Sequence, residues 1–326
     1  MKVGLVANNS ISNDWEESCK IANSEGIEAI EFAAGGFDTK RLFEKNVVCT
    51  AENLLKDKNI LKRFLKIPER YNLEISALAS KGNPLHPDKK QSEVFTNDIL
   101  GTIELAKAIG VNTVIVFAGT PGAGEDAKYP NWIANTFPKE LGRAAKWQWE
   151  KKIIPFWKKM VEKIKNTDIN FAFELHKGDS VYNPELFLKL REAVDSEKIT
   201  CNLDPSHLFP QGIDIETCIR RLGKSISYFH AKDCKIEKTI SDFRGMLEWK
   251  AFGDVGNRAW NYRAMGYGHS ESVWKGIISA LRLTGYNGVL SIEHGDALMS
   301  KREGLRKSVK FLRDVMIQED SEIKFG

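Results

Sequence analysis

NFAFELHKGDSVYNPELFLKLREAVDSEKITCNLD, residues Asn170 to Asp204, holds one complete structural unit. NFAFEL is a short apolar run ending in a charge, the pattern of a strand covered on both faces. PELFLKLREAV sets apolar residues at helical spacing, and Pro184 suits the first turn of a helix. ITCNLD is a second apolar run ending in a charge. Strand, helix, strand over this length is a parallel crossover unit.

The unit repeats outward in both directions. Upstream runs are KVGLVA from Lys2, EAIEF from Glu28, LEISALAS from Leu73 and NTVIVFA from Asn112. Downstream runs are SISYFHA from Ser225 and GVLSIE from Gly288. Helical periodicity follows each strand, at about residues 14–25, 51–71, 92–109, 150–166, 184–194, 214–222, 271–283 and 301–316. This alternation predicts an α/β chain folded as a closed parallel (β/α)8 barrel, a single domain over residues 1–326. The alternative is an open doubly wound sheet. Its usual phosphate signatures are missing, since no GxGxxG follows the first strand and no GxxxxGK[ST] occurs.

Two connections are long: residues 119–149 after the fourth strand and 233–270 after the seventh. In a barrel both rise from the C-terminal face, where active sites are built. They hold Trp132, Trp147, Trp149, Trp249 and Trp260, five of the eight tryptophans. Such rings either stack on a ligand or pack the insertions and a subunit interface.

Composition narrows the partners. Lys+Arg number 48 against Asp+Glu 44, a net charge of +4, so no concentrated basic surface for nucleic acid is expected. Hydrophobic residues make up 42%, enough for a large core and too many for a disordered chain. No apolar run reaches the ~18 residues of a membrane span. The five cysteines form no CxxC pair, which fits a reducing compartment and gives no thiolate metal site. A cytoplasmic protein is the expectation.

Chemistry concentrates at the carboxyl ends of the last four strands, in Glu174, Asp204, His230 and Glu293. An unpaired charge is costly there, and a barrel brings these four ends to one mouth. Three carboxylates and one imidazole form an oxygen-rich ligand set for one divalent cation. Mn2+ is the first expectation, with Mg2+, Co2+ or Zn2+ as alternatives. His176, His207, Lys232, His86 and Arg263 lie close in sequence to these ends or in neighbouring loops, and are candidates for binding substrate oxygens.

At these residues the chain resembles the xylose isomerase-like barrels, in particular the sugar phosphate isomerase/epimerase, ketose 3-epimerase and inosose dehydratase group. The resemblance rests on FELH (173–176), NLDPSH (202–207), FHAKD (229–233) and GYNGVLSIEH (285–294), with support from GNPLHP (82–87) and YRAMGYG (262–268). It implies one divalent metal on Glu174, Asp204, His230 and Glu293. It also implies Glu174 and Glu293 as the acid/base pair, and His207 as a contact to substrate oxygen. The activity implied is isomerisation or epimerisation of a ketose or oxo-sugar, free or phosphorylated, by proton abstraction through a metal-stabilised enediolate.

The long fourth and seventh loops depart from the shorter ketose 3-epimerases, so the identity of the sugar does not carry over. A lyase of the same fold is the alternative, resembling the inosose dehydratases or the C-glycoside deglycosidases. Apurinic endonucleases share part of the pattern, but FAGTPGAG after the fourth strand has no histidine and no Asp-x-His occurs. A non-enzymatic sugar-binding protein would not need two opposed glutamates. The expected partner is a small sugar, with neither nucleic acid nor membrane, and the tryptophan-rich insertions suit a homodimer or homotetramer.

Overall fold

The computed structural model describes residues 1–8, 11–37 and 42–319. Its centre is eight strands: β1 (Lys2–Ala7), β2 (Ala29–Gly36), β3 (Glu74–Lys81), β4 (Thr113–Val116), β5 (Asn170–Glu174), β6 (Ile199–Leu203), β7 (Ile226–Ala231) and β8 (Val289–Ile292). Each pairs in parallel with its neighbours in chain order, and β1 also pairs with β8. The sheet therefore closes into the expected barrel. All strand carboxyl ends point to one rim.

Two cores hold the barrel. The larger lies between strands and helices. There Trp15 stacks on Phe64 with ring centroids 4.6 Å apart, and Trp157 meets Phe171 and Phe173 edge-on. The smaller fills the barrel axis with Ala29, Ala77, Ala79, Ile115, Ala172, Val289 and Tyr228. All but one of these inward side chains are aliphatic, as in a packed barrel interior. The exception, Tyr228, meets Ser76 Oγ through its hydroxyl at 2.8 Å, which satisfies an otherwise buried polar group.

The helices at 184–194 and 271–283 form over the expected spans, as Pro184–Val194 and Glu271–Leu283. The single helix expected over 51–71 is two, Ala51–Lys56 and Lys58–Arg70. Asp57 breaks it: its backbone is extended, and its carboxylate caps the second helix by accepting from Asn59 N and Ile60 N. Residues 119–149 are not all loop, since Lys139–Trp147 is helical and runs through a π turn, Gln148–Ile153, into Ile154–Glu162. Pro155 has no N–H to donate to the turn before it, and the register changes just ahead of it. The long connection after β7 opens as an antiparallel hairpin, Asp233–Ile236 with Trp260–Arg263, enclosing a helix, Lys238–Arg244. Among the described residues no helix is long and apolar enough to cross a membrane.

Candidate active site

Each functional side chain sits where an apolar strand runs out. Glu174 is the last residue of β5, Asp204 follows β6, His230 is next to last in β7, and Glu293 follows β8. One ligand atom from each lies within 4.8 Å of all the others. Asp204 divides its oxygens between two tasks. Oδ1 accepts from Ser206 N at 2.8 Å and caps the short helix Pro205–Leu208, while Oδ2 faces the mouth. That helix turns His207 back over the site.

Glu174 Oε2, Asp204 Oδ2 and Glu293 Oε2 are buried and accept no hydrogen bond. Lys81 stands near the two glutamate oxygens and His207 Nε2 lies 3.3 Å from Asp204 Oδ2, but no hydrogen bond saturates any of the three, so their lone pairs are free for a cation. The residues present therefore fit a divalent ion, with His230 Nδ1 as the fourth donor. The other ring nitrogen of His230 is also fixed: Nε2–H donates to Glu31 Oε2 at 2.8 Å, which turns Nδ1 towards Glu293 Oε2 (3.2 Å) and Glu174 Oε2 (3.5 Å). A carboxylate behind a histidine in this way sets its tautomer and raises its basicity.

Two lysines complete the electrostatics. Lys81 Nζ lies 3.3 Å from Glu174 Oε2 and 3.7 Å from Glu293 Oε2. Lys232 Nζ donates to Glu293 Oε1 at 2.8 Å. Burial alone pushes Glu174 and Glu293 up, but the opposing charges win. Lys81, the His207 hydrogen bond and His230 hold Glu174 below the usual carboxylate range. Lys232, Lys81 and His230 hold Glu293 well below it. Asp204 differs: burial dominates and raises it to about 6, with Lys232 only partly offsetting. Burial pushes His230 down, yet Glu31, Glu293 and Glu174 bring it up to about 10. That excess of negative charge is what a divalent cation would neutralise.

His207 is buried and neutral. Burial, then the neighbouring His176, hold it well below the usual histidine range. Its partners define the tautomer: Nε2–H donates to Glu174 Oε1 at 3.2 Å, and Nδ1 accepts from the Tyr262 hydroxyl at 3.2 Å. His176 meets His207 edge-on with centroids 4.2 Å apart. Phe37, Lys81, Phe117, Glu174, His176, His207, Lys232 and Glu293 together line a cavity of about 170 Å³.

Residues 19–315 match the family model described as xylose isomerase-like TIM barrel. The chain belongs to that family. Its relative YfiH of Bacillus subtilis, described as uncharacterized, is 36% identical over 323 residues, which is 98% of this chain and all of YfiH. Among solved structures, the E. coli 3-keto-D-glucoside 4-epimerase YcjR aligns with a TM-score of 0.66 at 12% identity, covering 96% of this chain and 99% of that one. The probable 3-DHS dehydratase AsbF of Bacillus anthracis aligns at 0.65 and 17%, with the same coverage.

Within this member of the xylose isomerase-like family, the fold brings together seven of the nine residues singled out above: Glu174, Asp204, His230, Glu293, His176, His207 and Lys232. It sets the other two apart. His86 lines a separate groove with Lys89 and Trp147, and its Nδ1 accepts from Asp88 N at 3.0 Å. Arg263 donates to Asp296 Oδ2 at 2.9 Å and lies over Tyr267. Three residues join the site without having been read from the sequence: Glu31, Lys81 and Tyr262. The first two carried a signal, since each places a charge in or at the end of an apolar run. Tyr262 stood only as the first residue of YRAMGYG, with nothing to place it at the site, because only the hairpin register brings it to His207.

Asp233 supports the site from behind. Its carboxylate accepts from the backbone N–H of Cys234, Gly266, Gly268 and His269. Gly266 has φ +82°, and a Cβ on Gly268 would lie 2.1 Å from Cys234 O. The GYG turn thus needs both glycines to close on Asp233 and bring the hairpin over the barrel mouth.

Proposed function

We propose that the chain is a divalent-metal-dependent sugar isomerase or epimerase acting on a ketose or oxo-sugar, with Glu174 and Glu293 as the acid/base pair. One observation supports this most: two ionised glutamates from different strand ends face one point, and each keeps an oxygen that accepts no hydrogen bond. Glu174, Asp204, His230 and Glu293 would hold the cation, which supplies Lewis-acid stabilisation of negative charge on substrate oxygens.

The chain's own residues do the rest. One glutamate takes the proton from the carbon beside the carbonyl, and the other, ionised at rest, first takes up a proton from solvent and then returns it to the opposite face or to the neighbouring carbon. Lys81 and Lys232 keep both carboxyls ionised and ready to accept. Neutral His207 orients Glu174 through Nε2–H, and His176 closes the pocket beside it.

A lyase reading shares the first proton transfer. It is favoured by Tyr262, whose hydroxyl is held protonated by burial and whose one proton, given to His207 Nδ1 in this structure, would pass to a departing oxygen that takes the place of that nitrogen. The test is a panel of ketoses, 3-oxo-sugars and inososes with Mn2+, read by NMR. The first reading predicts an epimer or isomer of unchanged mass, and the second predicts loss of water or of a substituent. Glu293→Gln removes turnover in either case and weakens Mn2+ binding; full activity in that variant would overturn the acid/base assignment.

A further inference from the structure

The inner cavity, at about 170 Å³, is smaller than the ~300–1,000 Å³ of ordinary ligand sites. A second cavity of about 620 Å³ adjoins it and shares His176. Tyr262 stands between them, bonded to His207 on one side and stacked on Phe252 at 5.4 Å on the other. The outer cavity is aromatic: Trp132, Trp249, Phe252 and Trp260 line it together with Tyr262. Trp249 is 86% exposed, so its ring sits at the rim with both faces reachable.

One polar group in this wall is unexplained. Lys177 Nζ is buried, donates to no hydrogen-bond acceptor and rests 3.4 Å from the centre of the Trp260 ring. By contrast Arg258, also in the wall, already donates to Trp260 O and Lys250 O. Glu248 in the same wall is engaged by Arg244 and backbone N–H groups, so an ammonium without an acceptor, in a cavity beside the inner pocket, is a built recognition point for an anion or a strong acceptor. Burial also pushes Lys177 down to about 7, a cost that a bound anion would reverse.

We propose that the outer cavity is a subsite for a ring substituent carried by the reacting sugar. The substrate is then a glycoside whose second ring lies against the exposed Trp249 and turns an acidic or acceptor group to Lys177, while Phe252 and Trp260, already packed by Tyr262, Arg258 and Lys177, form the wall behind it. This rests on the sugar-converting reading of the inner pocket. It gives the insertion after β7 a purpose that a free monosaccharide does not require.

The experiment measures dissociation constants of the Mn2+-loaded protein for methyl, phenyl and 4-carboxyphenyl β-D-glucopyranoside, by calorimetry. Wild type should bind the phenyl glycoside roughly tenfold more tightly than the methyl one, and the carboxyphenyl glycoside more tightly again. Trp249→Ala should bring the phenyl-to-methyl ratio towards one, and Lys177→Met the carboxyphenyl-to-phenyl ratio. Because each readout is a ratio within one protein, a general loss of folding does not imitate it. Equal affinities for all three glycosides in wild type overturn the subsite, as do ratios that survive both substitutions. Deuterium exchange into free ketoses is measured alongside. Exchange without ring selectivity removes the subsite alone, ring selectivity without exchange on any sugar removes the catalytic reading alone, and absence of both removes both.

Discussion

At the residue scale, the site is organised by how each charge is opposed. Glu31 is the clearest case. It lies within β2, is fully buried, and holds His230 Nε2 at 2.8 Å while its Oε1 has no partner. Its effect on a bound cation passes through His230, so it positions and does not react. Glu31→Gln keeps the shape but weakens the pull on the imidazole proton, and Mn2+ affinity should fall about 10–100-fold. Titration followed by electron paramagnetic resonance checks this; unchanged affinity would show that His230 needs no such support. The four strand-end residues were legible in the sequence because each interrupts an apolar run with a charge. Glu31 and Lys81 interrupt runs in the same way, in AIEF and ALASK, but stood alone in sequence with no second residue to pair with. His86 and Arg263 were read from loop position, and loops fix no direction for a side chain; the fold commits one to Asp88 and the other to Asp296.

At the element scale, the insertion after β7 is the part that sequence periodicity could not resolve. Its hairpin strands are four residues each and its helix seven, too short to show a period. Its closure depends instead on single polar residues. Glu248 accepts from Lys250 N, Ala259 N and Arg244, and these bonds outweigh burial to hold its carboxyl down at about 2. The sign follows from linkage: a carboxyl depressed in the folded state stabilises above its unfolded value, near 4.5, and loses that contribution as pH falls towards 2. The insertion should therefore loosen below about pH 4.5, before the barrel does. Hydrogen exchange at Ala259 and Trp260 checks this against core amides such as Phe171. Glu248→Gln should show the looser behaviour already at neutral pH. The tryptophans also divide at this scale. Trp132, Trp249 and Trp260 line the outer cavity, whereas Trp149 is buried beneath Lys189 and Trp147 borders a different groove.

At the scale of the whole molecule, the barrel was legible because its logic is repetition: eight covered strands, each followed by a helix, leave little freedom for another topology. The same closure concentrates four carboxylates, Glu31, Glu174, Asp204 and Glu293, around one buried imidazole. The four carboxylates outnumber the two ammonium groups beside them, Lys81 and Lys232, so binding a cation should stabilise the folded chain. At a hundredfold excess over the dissociation constant the gain is about 2.7 kcal/mol. A Mn2+ titration followed by thermal melting should raise the midpoint by several degrees. The rise should vanish in Asp204→Asn, and absence of any rise with Mn2+, Co2+, Mg2+ and Zn2+ would count against a cation site.

The central claim is that Glu174 and Glu293 exchange a carbon-bound proton of a sugar beside a bound cation. Solvent deuterium incorporation tests it most directly. In D2O with Mn2+, wild-type protein should place one deuterium on the carbon next to the carbonyl of at least one ketose or 3-oxo-sugar. The exchange should stop with a chelator and in Glu293→Gln. Incorporation that persists in both would contradict the account, as would its absence across the whole panel in cation-loaded wild type.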